Sequence, residues 1–197
     1  MHIMMLFKSI VVWLLLAVAM PAQAATYQVT INTASLAGQS GYLDFLMLSL
    51  AGADPVQATI SNFTGSYSSG TYVYGDVGGS VTSSVSLVNS TAWSEFAQWV
   101  NFGGVYSFSV SFSGSSGSGA GTNLGIALLD QDFSYVGSSA DIVTFALQPG
   151  SADSVLATAG LATVAVTVPS AVPEPAVWAL LCAGLMLLAR ARRLTGS

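Results

Sequence analysis

From Val105 to Ser113 the chain reads VYSFSVSFS, in which Tyr106, Phe108, Val110 and Phe112 alternate with Ser107, Ser109, Ser111 and Ser113. Successive side chains of a strand point to opposite faces, so this run buries all its large residues together only as a strand. A helix would spread the same residues around its circumference. The alternation therefore predicts a strand with one dry and one wet face. Weaker alternation marks Tyr27, Val29, Ile31; Val81, Val85, Leu87; and Val164, Val166, Val168. Gly41–Leu50, Leu124–Leu129 and Ile142–Leu147 are nearly continuous apolar runs of strand length, which predicts strands covered on both sides.

Turn-forming residues separate these runs: Gly65–Gly70, Gly75–Gly79, Gly114–Gly121 and Gln148–Asp153. The run GSSGSGAG at 114–121 reads as a hairpin loop rather than a linker between domains. One stretch departs from period two. In NSTAWSEFAQWVNF, Trp93, Phe96, Ala97 and Val100 have helical spacing, with Ser90 or Thr91 placed to cap the first turn. The expected fold is all-β: a single, jelly-roll-like β-sandwich of about eight to ten strands with one short helix. It occupies residues 25–172, a length that buries a sufficient core without covalent staples. The only cysteine, Cys182, lies outside that span, so the body holds no disulfide.

Charge is distributed unevenly. The four basic residues are Lys8, Arg190, Arg192 and Arg193, and the one histidine is His2. Residues 25–172 thus contain no cation, while eight of the nine acids fall there: Asp44, Asp54, Asp76, Glu95, Asp130, Asp132, Asp141 and Asp153. A body of formal charge −8 without a single cation cannot neutralise phosphates, which excludes nucleic acid as a partner and makes anionic membrane surfaces poor ones.

Both ends look like addresses. Lys8 precedes an uncharged run from Ile10 to Met20, followed by Pro21 and the A-x-A site Ala22-Gln23-Ala24. These are the parts of a secretory signal peptide over residues 1–24, which implies passage through the Sec translocon and cutting by signal peptidase. At the other end, residues 173–197 hold Pro173-Glu174-Pro175, an uncharged run from Ala176 to Ala189, and Arg190, Arg192 and Arg193. The prolines break the chain after the body. As a helix the apolar run spans roughly 21 Å, short of the ~30 Å hydrocarbon core, so it makes a weak transmembrane anchor. The arginines hold its end on the cytoplasmic side.

This order, Pro-Glu-Pro, apolar helix and arginine cluster, resembles the PEP-CTERM sorting signal of Gram-negative bacteria. The resemblance implies recognition by exosortase, transient residence in the inner membrane, and delivery to the cell surface or extracellular space, commonly alongside exopolysaccharide and biofilm. The segments GYLDFLML, ATISNFTGSY, GDVGGSV, NSTAWSEFAQWVNFGG and FSVSFSG of the body resemble a group of PEP-CTERM secreted proteins. That second resemblance brings no activity and no site residues with it.

The body's chemistry is bounded by what it lacks. Without His, Cys or Lys it cannot build a Ser-His-Asp triad, a thiol nucleophile, a Schiff base or an ordinary zinc site. Carboxylates alone would suffice for glycoside hydrolysis, with Asp130 and Asp132 two apart and Asp44 or Asp141 approaching from another strand. Eight scattered acids read more simply as turn and edge residues, so the expectation is a protein that is not an enzyme and needs no cofactor. Asp130 and Asp132 are weak candidates for calcium, lacking the further acids of a complete loop. Tyr67, Tyr72 and Tyr74, in a Gly/Ser-rich region, are candidates for stacking on sugar rings. The expected function is an exported structural or matrix protein associated with exopolysaccharide. The alternative is a carbohydrate-binding module, with a carboxylate-only glycoside hydrolase behind it.

Overall fold

A computed structural model describes residues 25–114, 120–148 and 153–167, together with Gly184. The chain divides into two units, Met1–Thr167 and Val168–Ser197. The signal peptide, the Pro-Glu-Pro motif, the apolar run and the arginine cluster lie outside the described residues. Among the described residues no helix is long and apolar enough to cross a membrane.

The body is all-β: two six-stranded antiparallel sheets packed as a sandwich. In chain order the strands are β1 (Thr26–Asn32), β2 (Ser40–Ser49), β3 (Val56–Thr64), β4 (Tyr67–Tyr74), β5 (Asp76–Gly79) and β6 (Ser84–Val88). Then follow β7 (Trp93–Asn101), β8 (Val105–Gly114), β9 (Thr122–Leu129), β10 (Val143–Leu147), β11 (Ser154–Ala157) and β12 (Ala162–Thr167). Sheet A has the order β12-β1-β8-β3-β6-β5 and sheet B the order β11-β10-β9-β2-β7-β4. Twelve strands exceed the eight to ten expected, because the glycine-rich stretches 65–70 and 75–79 are largely strand rather than turn. The corners there are Gly65-Ser66, where the chain passes from sheet A to sheet B with Gly65 at φ +139, and Gly75 at φ +79, where it returns to sheet A. A Cβ on Gly75 would press on Trp93 O and Ser94 Oγ.

The serine/aromatic alternation forms β8, at the heart of sheet A between β1 and β3. Its Tyr106, Phe108 and Val110 are buried, as are Val29 and Ile31 of β1 and Ile60 of β3. Sheet B answers with Leu43, Phe45 and Met47 of β2, Phe96 and Val100 of β7, and Leu124, Ile126 and Leu128 of β9. The two inner faces meet through aromatic edges: the Phe45 and Phe108 ring centroids are 5.1 Å apart at 75°, a favoured T-shaped contact.

The helix expected over 89–102 is absent; Trp93–Asn101 of that stretch is β7, paired with β2 from Leu48↔Trp93 to Ser40↔Asn101. Its true period is two. Ser94, Phe96, Gln98 and Val100 face inward, and Gln98 satisfies itself there by donating to the carbonyls of Ser68 and Gly70. Ser90 and Thr91 cap no helix: Ser90 Oγ donates to Asp76 Oδ2 at 2.7 Å and Thr91 Oγ1 to Trp93 O at 2.7 Å. In the sandwich, the only helical turn among the described residues is a 3-10 turn at Ala34–Leu36.

Candidate functional site

Because β2 turns Leu43, Phe45 and Met47 into the core, strand geometry sends Tyr42, Asp44, Leu46 and Leu48 to the outer face of sheet B. The register sets their neighbours. Asp44 lies between Ala97 of β7 and Ala127 of β9, and Ala97 pairs onward with Tyr72 of β4. One row along, Tyr74, Glu95, Leu46 and Gly125 stand side by side. On the other side Trp99 pairs with Tyr42, which pairs in turn with Leu129.

This face is aromatic. Tyr42 meets Trp99 edge-on at 4.8 Å, and Tyr74 stacks on Trp93 at 4.8 Å and 18°. After β9 the chain forms a tight hairpin whose Phe133 reaches back over the sheet, stacking on Tyr42 at 5.0 Å and meeting Tyr72 edge-on at 5.1 Å. Tyr72, Tyr74 and Trp93 remain 39%, 46% and 40% exposed. Every exposed aromatic among the described residues, these three with Phe133 and Tyr135, belongs to this face or to its hairpin.

The hairpin is built by Asp130, whose Oδ1 accepts from the backbone N–H groups of Asp132 and Ser134, both at 2.9 Å. That Asx turn holds Phe133 in the left-handed region at φ +59, a conformation costing a non-glycine residue about 1 kcal/mol. Asp130 and Asp132 are therefore turn residues on no common strand face. Among the described residues no group of three His, Cys, Asp or Glu is placed to hold a metal ion.

Three other acids converge instead. Asp44 is 4% exposed, and its Oδ1 has no hydrogen-bond partner. Burial, then the charges of Glu95 and Asp141, push its carboxyl up to about 8. Burial also raises Glu95 and Asp141, the latter partly relieved by Tyr135, whose hydroxyl donates to Asp141 Oδ1 at 3.1 Å. Asp141 comes so near because β9 carries Gly125: a Cβ there would collide with Asp141 Oδ2.

Of the residues singled out from sequence, Tyr72 and Tyr74 lie on this face. Tyr67 turns to the opposite side of β4, packing on Phe63 at 5.8 Å and Tyr106 at 5.5 Å. Asp44 and Asp141 come together, while Asp130 and Asp132 do not join them. Tyr42, Trp93, Glu95, Trp99 and Phe133 are additions that the sequence reading missed. The legible signal was an acid, Asp44, in the middle of an apolar strand, where an unpaired charge is rare. A cavity of about 170 Å³ opens at the other end of β9, lined by Asp54, Phe112, Thr122, Leu147 and Asp153 among others. No protein-family model, curated protein or solved structure matches this chain.

Proposed function

We propose that the protein is an exported, non-catalytic surface or matrix component that holds polysaccharide against the outer face of sheet B. The observation that carries this reading is the gathering of all exposed aromatics of the described residues on one side of a rigid sheet. Flat rings on a fixed scaffold match the apolar faces of pyranose rings, and carboxylates beside them accept from sugar hydroxyls. Rigid placement keeps the ordering cost of binding low. The arrangement of β1-β8-β3-β6 in one sheet and β2-β7-β4 in the other supports the finer assignment of a jelly-roll winding. The additional strands β9 to β12 widen sheet B and extend sheet A.

Export follows from the sequence of the two ends: the signal peptide with Ala22 and Ala24, and the sorting signal of Pro173, Glu174, Pro175 and the arginines, read by exosortase. Its final location is the cell surface or the extracellular space.

Binding is tested by affinity electrophoresis of the exported protein through gels containing soluble polysaccharides. At least one polymer is expected to retard it, and Tyr74→Ala with Trp93→Ala to relieve the retardation; unaltered migration in every polymer would overturn the binding role. Sorting is tested by replacing Pro173-Glu174-Pro175 with alanines, which is expected to hold full-length protein in the membrane fraction. Release of a shortened product at the normal level would overturn it.

A further inference from the structure

Resting on the polysaccharide reading, we propose that this face selects sugars bearing free amino groups, the ammonium docking among Asp44, Glu95 and Asp141 with the ring against Tyr42, Trp99 and Tyr72. Four observations lead there. Asp44 Oδ1 is an acceptor without a donor, and its cross-strand neighbours Ala97 and Ala127 have no side-chain N–H or O–H to offer. Buried oxygens are ordinarily satisfied, and one that is not points to a missing donor. Glu95 and Gly125 stand opposite Leu46, one row along the outer face from Asp44, and the Asp141 carboxylate lies against Gly125, so three acids share one neighbourhood. The only polar group of the hairpin that meets them is the Tyr135 hydroxyl, already spent on Asp141.

Residues 25–172 supply no cation, so any positive charge set beside these acids comes with the ligand. A metal ion does not suit: among the described residues no three acids are placed to ligate one. An organic ammonium does suit, because it tolerates longer and looser contacts and gains from aromatic faces by cation–π attraction. The same face disfavours uronate, sulfate or phosphate polymers, which would bring like charge to the carboxylates. The Phe133 ring adds a further aromatic surface here, stacked on Tyr42 and edge-on to Tyr72 and held by a left-handed backbone.

The test is calorimetry of the exported protein with a glucosamine hexamer, its N-acetylated counterpart and spermidine, at mildly acidic pH where the amines are charged. The free-amine hexamer is expected to bind about tenfold tighter than the acetylated one. Its binding is expected to release protons, as acids protonated in the free protein ionise against the ammonium. Glu95→Gln, half-exposed and nearly isosteric, removes most of the preference, as does Asp44→Asn, whereas Asp153→Asn, which lowers the net charge equally at the distant cavity, keeps it.

Equal affinity for the two hexamers, or binding without proton release, overturns the amine preference and leaves the polysaccharide reading standing. An equal loss with Asp153→Asn overturns it too, by reducing it to general charge attraction. Spermidine binding as tightly as the hexamer removes the sugar from the proposal. If no polymer binds, charged or neutral, both readings fall.

Discussion

The two sheets share one core and present opposite exteriors. Across sheet A run rows of small hydroxyls and amides: Thr26, Ser111, Thr59 and Ser86 in one, Gln28, Ser109, Ser61 and Ser84 in the next. Hydrogen bonds join polar groups on this face, Thr64 with Ser107 at 2.6 Å and Ser109 to Gln28 at 3.0 Å. The acid bordering that face, Asp76 on β5, has a donor in Ser90 Oγ. Across sheet B the rows carry rings and carboxylates, with an acceptor left open at Asp44. A hydroxyl face meets the needs of solubility without further components. Rings left in water and a buried carboxyl oxygen left without a partner cost stability, and it is on that contrast that the proposed function rests.

The largest expected effect is on pH-dependent stability. With its carboxyl raised from 3.8 to about 8, folded Asp44 keeps a proton that the unfolded chain releases. The native state then binds more protons than the unfolded one, so stability falls as pH rises from about 4 to about 8 and levels off above. A shift of this size corresponds to a loss on the order of 5 kcal/mol. Burial raises Glu95, Asp141 and Asp153 in the same direction. Urea denaturation at both ends of that range is expected to show the drop, and Asp44→Asn to remove most of it. A flat profile for the wild type would break the contrast between the faces at its strongest point.

Smaller effects sharpen it. Gly125→Ala sets a methyl against the Asp141 carboxylate and is expected to cost about 1–3 kcal/mol in the same denaturation experiment. Phe133→Gly, losing its contacts with Tyr42 and Tyr72, is expected to cost about 1 kcal/mol, because removing the Cβ at φ +59 relieves backbone strain and offsets part of the lost packing. On the hydroxyl face Ser111→Ala is expected to stay within about 0.5 kcal/mol. A larger loss there would show that sheet A's exterior is as specifically built as sheet B's.

The inner faces were legible in the sequence, since β8 and β1 alternate strictly and β2 and β9 are apolar runs of strand length. The region from Gly65 to Asn101 was not, for two physical reasons. β4 and β5 are edge strands exposed along nearly their whole length, so burial imposes no alternation on them and their glycines read as turns. In β7 the inward Gln98 interrupts the apolar period of two, and Trp93, Phe96 and Val100 then imitate a helix although Trp93 lies on the outer face. The site was legible in parts only. Tyr72 and Tyr74 stood out by composition, and Asp44 and Asp141 were named only as acids approaching from another strand. The meeting of Asp44 with Asp141 depends on strand register and on the close approach that Gly125 permits, neither of which a single sequence encodes locally.

The central claim, that polysaccharide is held by the aromatic and acidic exterior and not by the hydroxyl one, is tested most directly by comparing two double variants on one polymer. Tyr74→Ala with Trp93→Ala is expected to weaken binding by about tenfold or more, while Thr30→Ala with Ser111→Ala leaves the dissociation constant of the wild type. Loss of binding in the second pair with retention in the first would contradict the account.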